Sequence, residues 1–406
     1  MNKKRVLAGT LYCLMMAYAF SVTAVGPLLP VLMADYQIPL REAGLFSLFQ
    51  GGGGIIGLLL GVMFASYIRL DHMVKALAGI YCASLLALGL KMAFLAMLVL
   101  FFIIGASTKL LDSTLNAYVS ELYPADSSKH LSILHACFGM GALLAPLIIA
   151  FLLERNMPAR RVFAALGIIC LAIQCAYYGV QRACPPPAKT EPLKPGQLWE
   201  VLKNRHILFL CLCVMSYTGF SCGCSMWVPS YMKSCLGACT TEANYPIYAL
   251  WMGIILGRLF CARYSQRFNA YRYIIGANLL GGAAIIGATA LDAVLAYISA
   301  YFIAGFTAGG VVPIAVAIAN GRYPAYKSSV SAIITLAAAV GFMLFPSLVG
   351  VVAEADFWRG IGLLNIFPVC IAVCMLMAGR AARNYKNENE SFLYTLNQGV
   401  DQRKYL

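Results

Sequence analysis

The chain has 406 residues, 61% of them hydrophobic and 11% charged, with a formal net charge of +14 and a mean hydropathy of +0.78. Those values lie outside the range of soluble globular domains. The fifteen cysteines do not describe a secreted disulfide scaffold either, because most fall in long apolar runs where a thiol acts as a small apolar side chain.

A bilayer crossing needs roughly 20 apolar residues. On that rule the sequence predicts twelve transmembrane helices, near 7–33, 43–67, 73–92, 94–119, 130–153, 161–181, 206–232, 244–264, 272–291, 294–319, 328–353 and 358–380. The fold class is therefore an all-α membrane protein. The first run is too long for the apolar core of a signal peptide, and no small-residue cleavage site precedes the next membrane segment.

In the second run Gly51 to Gly54, Gly57 and Gly61 repeat at four-residue spacing, which lets two helix backbones approach closely. No P-loop lysine follows, so this glycine run does not read as a phosphate cradle. Gln50 just before it is a candidate solute contact. The connection after this run carries Arg69, a candidate gate residue.

The fourth run, Phe94 to Val119, holds Lys109, Asp112 and Asn116 in an otherwise apolar stretch. Spacings of three and four place them on one helical face. Ionised groups are costly at membrane depth and mark substrate or ion pathways. Asp112 reads as a carboxylate that switches charge with substrate or ion movement, against the alternative of a structural Lys–Asp pair. Lys109 either neutralises Asp112 or contacts an anionic substrate. The Asn116 amide suits hydroxyl or carboxylate groups, or an interhelical hydrogen bond. In the fifth run His135 is the histidine deep in a span, while His72, His130 and His206 stand near span ends.

From Gln181 to Arg205 the chain turns polar and carries Pro185, Pro186, Pro187, Pro192 and Pro195, the composition of a semi-rigid linker. It divides the spans six and six. The expected organisation is an N-terminal bundle at 1–181, a linker at 182–205, a C-terminal bundle at 206–380 and a polar tail at 381–406. In the seventh and eighth runs Tyr217, Trp227, Tyr248 and Trp251 are placed to stack on a sugar face or to serve as interfacial aromatics. Cys235 and Cys239 lie in the connection between those runs, where a local disulfide and two separate thiols are both open readings. Arg258 near the end of the eighth run is the second candidate gate residue.

Basic residues gather in alternate connections and at the two ends, among them Lys3, Lys4, Arg5, Arg69, Lys75, Lys129, Arg263 and Arg267. Such a bias orients membrane proteins with the basic side cytoplasmic. Both termini are expected in the cytoplasm, in a cell membrane of bacterial inner-membrane type, and the net charge reads as a topology signal with no nucleic acid as partner. No HExxH, Walker lysine or nucleophile elbow occurs. No enzyme, cofactor or metal is expected, and transport would draw on an ion gradient or run downhill.

The six-plus-six plan with a basic linker resembles the major facilitator superfamily. Within it, Asp112-Ser-Thr-Leu-Asn116 and Leu134-His135, Phe138-Gly139, Gly141-Ala142 and Pro146 are similar to the sugar-permease branch, the fucose/glucose–proton symporters and sodium-dependent glucose transporter-like proteins. Gly305, Gly309, Pro313 and Asn320, then Gly341, Pro346 and Gly350, extend the likeness into the second half. There are departures. The superfamily's gate segment after the second helix carries an acid where this chain has Ala65, leaving Arg69 and Lys75 as the charges. Between Val6 and Ala34 there is no acid, where proton-coupled fucose permeases carry one. The drug-antiporter pattern in the fifth helix is interrupted by Leu147 to Ala150.

The resemblance implies two pseudo-symmetric six-helix bundles working by alternating access around a central site. The expected function is secondary transport of a small polar solute, a hexose-like sugar first, by ion-coupled symport with a proton or sodium, in a monomer. A proton-coupled exporter of drugs, metabolites or organic anions is the alternative in transport. A non-transporting membrane sensor is the alternative outside it.

Overall fold

The structure, a computed structural model, describes residues 3–64, 68–123, 127–182, 203–264, 267–291, 293–323 and 327–383. The Pro-rich core of the expected linker, residues 183–202, and residues 384–406 of the expected tail lie outside the described residues, as does Ala65.

Among the described residues, twelve helices are long and apolar enough to cross a membrane. In chain order spans 1 to 12 are Lys3–Thr23, Leu40–Gly61, Leu70–Leu88, Phe94–Leu122, Ile133–Glu154, Ala159–Gln181, Arg205–Cys235, Glu242–Tyr264, Ala270–Leu291, Val294–Arg322, Val330–Ala355 and Phe357–Arg383. Each falls on one of the twelve apolar runs in the sequence, with ends that move by a few residues except in the first, where the span stops at Thr23, ten residues short of the expected end.

Spans 1, 10 and 12 are interrupted, and each of these interruptions has the same cause. Span 1 ends at Thr23 and the chain continues after Ala24 as a second helix, Val25–Tyr36. Span 10 divides into Val294–Ala308 and Val311–Arg322. Span 12 divides at Asn365. Pro27, Pro313 and Pro368 each stand three residues past the break. Proline lacks an N–H and its ring crowds the carbonyl four residues earlier, so it is accommodated in the first turn of a new helix segment. The sequence reading of one continuous helix over 7–33 overlooked this effect of Pro27.

Glycine sets the packing inside each half. A Cβ on Gly53 would lie 1.9 Å from the Phe102 carbonyl oxygen, one on Gly57 2.3 Å from that of Ala106, and one on Gly105 1.8 Å from that of Gln50. Spans 2 and 4 therefore touch backbone to backbone, as small-residue packing in membranes allows. Spans 8 and 10 repeat the arrangement: Gly253 meets the Phe302 oxygen at 2.3 Å, Gly257 that of Phe306 at 2.1 Å, and Gly305 that of Leu250 at 2.1 Å. The three pairs match at a constant offset of 200 residues. Span 5 packs on span 1 through Gly141 and the Met16 oxygen at 2.1 Å, and span 11 on span 7 through Gly341 and the Met215 oxygen at 2.2 Å. Two six-helix bundles related by pseudo-symmetry result.

Span 1 starts on one face of the protein, here called the amino-terminal face, and successive spans alternate in direction. The bundles meet near the opposite face. Ser47 and Ser347 place their hydroxyls 3.0 Å apart, and Ser347 donates to the Gly44 carbonyl at 2.9 Å. Tyr248 donates to the Pro146 carbonyl at 3.3 Å, and the Arg41 amide donates to Glu354 Oε2 at 3.1 Å. Gly26 leaves only 1.8 Å between a would-be Cβ and the Ser225 oxygen. Toward the amino-terminal face, side chains between the bundles become accessible: His135 is exposed, and Asp112, Asn116 and Arg258 are partly so.

Candidate functional site

Span 4 carries the polar stripe into the middle of the protein. Asp112 and Asn116, one turn apart, are joined: the Asn116 amide donates to Asp112 Oδ1 at 2.9 Å and to the Asp112 backbone carbonyl at 2.8 Å. One Asp112 carboxylate oxygen is engaged by its own helix, and the side chain keeps partial exposure to the gap between the bundles.

Lys109 does not pair with Asp112. Among the described residues, the ion pairs within 4.0 Å belong to Asp71 and Asp356. The Lys109 ammonium instead turns to span 1, where it lies 5.6 Å from the centre of the Tyr18 ring. Gly54 gives it room to do so, because a Cβ there would meet the lysine stem at 2.8 Å. The stem thus runs along span 2, and its head reaches the neighbourhood of Cys222 on span 7. Tyr18 is 2% exposed.

His135 stands one turn before Gly139, which faces Ile255 of span 8. That register aims the imidazole at the seam between bundles, where Asp112, Arg258 and Lys109 are the charges that reach it. Arg258 of span 8 points inward as well, its guanidinium Nη2 donating to the Tyr217 hydroxyl of span 7 at 3.2 Å. The structure therefore brings Lys109, Asp112, Asn116, His135, Arg258 and Tyr217 into one region contributed by both bundles.

An aromatic row closes this region toward the opposite face. Tyr18 packs on Phe138, ring centres 5.3 Å apart, and Phe138 meets Trp251 edge-on across the bundle seam at 6.1 Å. Trp251 donates to the Ser225 hydroxyl at 3.1 Å and is 3% exposed. Gln50 is buried in the span 1–span 2 contact, its amide donating to the Ser21 carbonyl at 2.9 Å. Tyr248 lies at the closed seam on Pro146, and Trp227 is buried with its indole N–H donating to the Pro346 carbonyl at 2.7 Å. Cys235 and Cys239 are exposed at the end of span 7 and just beyond.

Arg69 lies apart, before span 3. It forks onto Asp71, Nε to Oδ1 at 3.1 Å and Nη2 to Oδ2 at 3.2 Å. Lys75 approaches the same carboxylate at 3.7 Å, His72 at 3.6 Å, and Gln181 at the end of span 6 donates to it at 3.0 Å. Sequence reasoning looked for an acid ahead of Arg69, at Ala65, and missed the one two residues after it. Tyr18 was missed too, because the first run was searched for acids rather than for an aromatic ring that would face a cation.

Two six-helix bundles around a polar region reached from one face form the fold of a membrane carrier. Residues 11–238 and 236–395 match the Major Facilitator Superfamily, and the chain belongs to that family: it is a multi-pass membrane transporter. It is similar to an uncharacterized MFS-type transporter of Yersinia pestis, 24% identical over 90% of this chain and 93% of that one. It is also similar to the glucose/mannose transporter GlcP of Bacillus subtilis, 22% identical over 85% and 88% of the two chains. Protein TsgA of Salmonella newport is 26% identical over 63% of this chain and 64% of its own. Among solved structures, a bacterial homolog of the human lysosomal transporter Spinster, inward-facing and unoccupied, superposes with TM-score 0.73 at 14% identity over 97% and 98% of the chains. A point mutant of the nucleoside transporter NupG gives 0.72 at 12% identity over 94% and 99%.

Proposed function

We propose that this protein moves a small polar solute, hexose-like in its hydroxyl groups, across the membrane by ion-coupled symport with alternating access around the site at Lys109, Asp112, Asn116 and His135. The bundles at 1–181 and 206–380 rock about that site, joined by a linker at 182–205, with both termini and the tail at 381–406 on the cytoplasmic side of a bacterial inner membrane. The amino-terminal face is then the cytoplasmic one, and the conformation described is open inward. The protein works as a monomer.

One observation carries this reading. The backbone contacts of Gly53, Gly57 and Gly105 recur at Gly253, Gly257 and Gly305, so the offset of 200 residues aligns Lys109 with Gly309, Asp112 with Val312 and Asn116 with Val316. The second bundle builds the equivalent span, divided at Gly309 and Gly310, from apolar residues. The fold does not require the charged stripe, and intramembrane charges that packing does not require belong to a transport path. The relation to GlcP supports a hydroxylated solute.

Asp112 is the coupling group. Asn116 holds one of its carboxylate oxygens in place, and an acid within a membrane span is a default candidate for ion movement. Tyr217 and Trp251 border the solute from the second bundle, and Gln50 fixes span 2 to span 1 behind it. Arg69, anchored on Asp71, belongs to the gate segment of the cytoplasmic face.

A thermal-shift screen of sugars, amino acids and organic anions on the purified protein tests the reading, since a ligand that binds the folded state raises its stability with occupancy. At least one solute is expected to shift the wild type and to shift Asp112→Asn less. A ligand that stabilises both equally, with transport retained in the variant, would remove Asp112 from the site.

A further inference from the structure

The central site holds two permanent cations and one acid, and neither cation has a carboxylate partner among the described residues. Lys109 faces the Tyr18 ring, 5.6 Å from its centre, and Arg258 is held by the Tyr217 hydroxyl. The one carboxylate among them, Asp112, is held by Asn116. Charges withdrawn from water in a membrane protein are costly unless paired, and a neutral phenol hydroxyl compensates a cation far less than a carboxylate does. His135 sits among Asp112, Arg258 and Lys109 and adds no negative charge in either protonation state. The other neighbours, Tyr18, Tyr217 and Cys222, contribute no carboxylate.

We infer that the transported solute is a small hydroxylated carboxylate, a monoanion whose acid group is received by Lys109 of span 4 and Arg258 of span 8. Resting on the transport reading above, this names the substrate class of that same site. The charge count selects a monoanion: two cations and one carboxylate leave one positive charge, which a carboxylate cancels and a phosphate dianion overshoots. The placement explains coupling to the conformational change, because the cations stand on different bundles and one acid group between them draws the halves together on the open side. With the Asn116 NH2 engaged by Asp112 and the Tyr217 oxygen by Arg258, the Asn116 side-chain oxygen and the Tyr217 O–H are left for the solute's own hydroxyls.

Equilibrium binding by the purified full-length protein tests this with matched pairs that differ at the acid: D-glucuronate and D-glucose, D-galacturonate and D-galactose, D-gluconate and D-sorbitol, with glucose 6-phosphate as the dianion and sodium chloride as the ionic control. At least one carboxylate is expected to bind on the order of tenfold or more tightly than its neutral partner, as for a lost hydrogen bond to a charged group. That preference is expected to vanish in Lys109→Gln and in Arg258→Gln, each confirmed as folded by gel filtration. Equal binding within every pair, a preference for the phosphate, or a carboxylate preference that survives both substitutions would overturn the inference. A neutral sugar that binds and is lost in Asp112→Asn would overturn it too, while leaving the transporter reading in place. Absence of binding across the panel overturns it as well, and the broader solute screen then decides the transporter reading separately.

Discussion

Tyr18 and Tyr217 occupy equivalent positions in the two bundles, and each faces a cation: the Lys109 ammonium lies 5.6 Å from the centre of the Tyr18 ring, and Arg258 donates to the Tyr217 hydroxyl at 3.2 Å. Met16, two residues before Tyr18, packs its carbonyl on Gly141, and Met215, two residues before Tyr217, packs its own on Gly341. From these matched places Tyr18 reaches Lys109 on span 4 and Tyr217 reaches Arg258 on span 8. The tyrosines obey the pseudo-symmetry, whereas the cations come from non-equivalent helices. A repeated scaffold has been given an unrepeated set of charges.

Removing the Tyr217 hydroxyl should weaken solute binding without unfolding the protein. A hydrogen bond to a charged group contributes about 1.5–3 kcal/mol, so Tyr217→Phe, which strips that bond from Arg258, should raise the Kd of the bound solute by roughly tenfold or more. Isothermal titration of the variant against wild type checks this, and unchanged affinity would show the hydroxyl to be outside the site.

The glycine contacts predict a sharp split among glycine variants. Gly57→Ala and Gly257→Ala place a methyl group against a carbonyl oxygen, at 2.3 and 2.1 Å respectively. Spans 2 and 4, or 8 and 10, must then separate, at about 1–3 kcal/mol by analogy with overpacked cores. Gly276→Ala, with nothing within 4 Å of its Cβ position, should be neutral or mildly stabilising in its helix. Melting temperatures in detergent decide the matter: a drop at Gly276 as large as at Gly57 would contradict the packing account.

Asp71 anchors the segment at the start of span 3. Its side chain is 2% exposed and receives Arg69, Lys75 and Gln181, so Asp71→Ala strands several donors at about 1–3 kcal/mol. Arg359→Ala breaks a pair whose members are 76% and 42% exposed, and exposed pairs contribute little. The first variant should melt measurably lower and the second should match wild type. Equal melting temperatures for Asp71→Ala and wild type would remove the anchor.

Closure of the bundles at the opposite face can be locked. Ser47 and Ser347 approach to 3.0 Å between hydroxyl oxygens, a separation compatible with disulfide geometry after Ser47→Cys and Ser347→Cys. Oxidation of the double variant should stop transport and reduction should restore it, while each single variant continues to transport. Full flux with the crosslink formed would mean that the two halves do not part at this face.

The twelve helices were legible because a membrane crossing demands a length of apolar chain that nothing else in the sequence imitates. The stripe at Lys109, Asp112 and Asn116 was legible for the complementary reason, that charge in such a run is costly. The partners of those charges were not. Helical spacing places Lys109 beside Asp112, but which way a long flexible lysine turns depends on the room left by Gly54 and on an aromatic ring 91 positions earlier in the chain, at Tyr18. Gln50 looked like a solute contact from its polarity, yet its amide is engaged by the Ser21 carbonyl. Arg258 looked like a gate residue from its place near a helix end, and the inward turn that brings it to Tyr217 is a tertiary fact. The repeat at an offset of 200 residues was present in the glycines, but its meaning needed the carbonyls they touch.

Uptake of the identified solute into proteoliposomes tests the central claim most directly, with wild type compared to Asp112→Asn at matched incorporation. The account predicts saturable uptake above equilibration by wild type under an imposed proton or sodium gradient, and none above background by the variant. Equal uptake by the two proteins, or binding of the solute by wild type with no flux under either gradient, would contradict it.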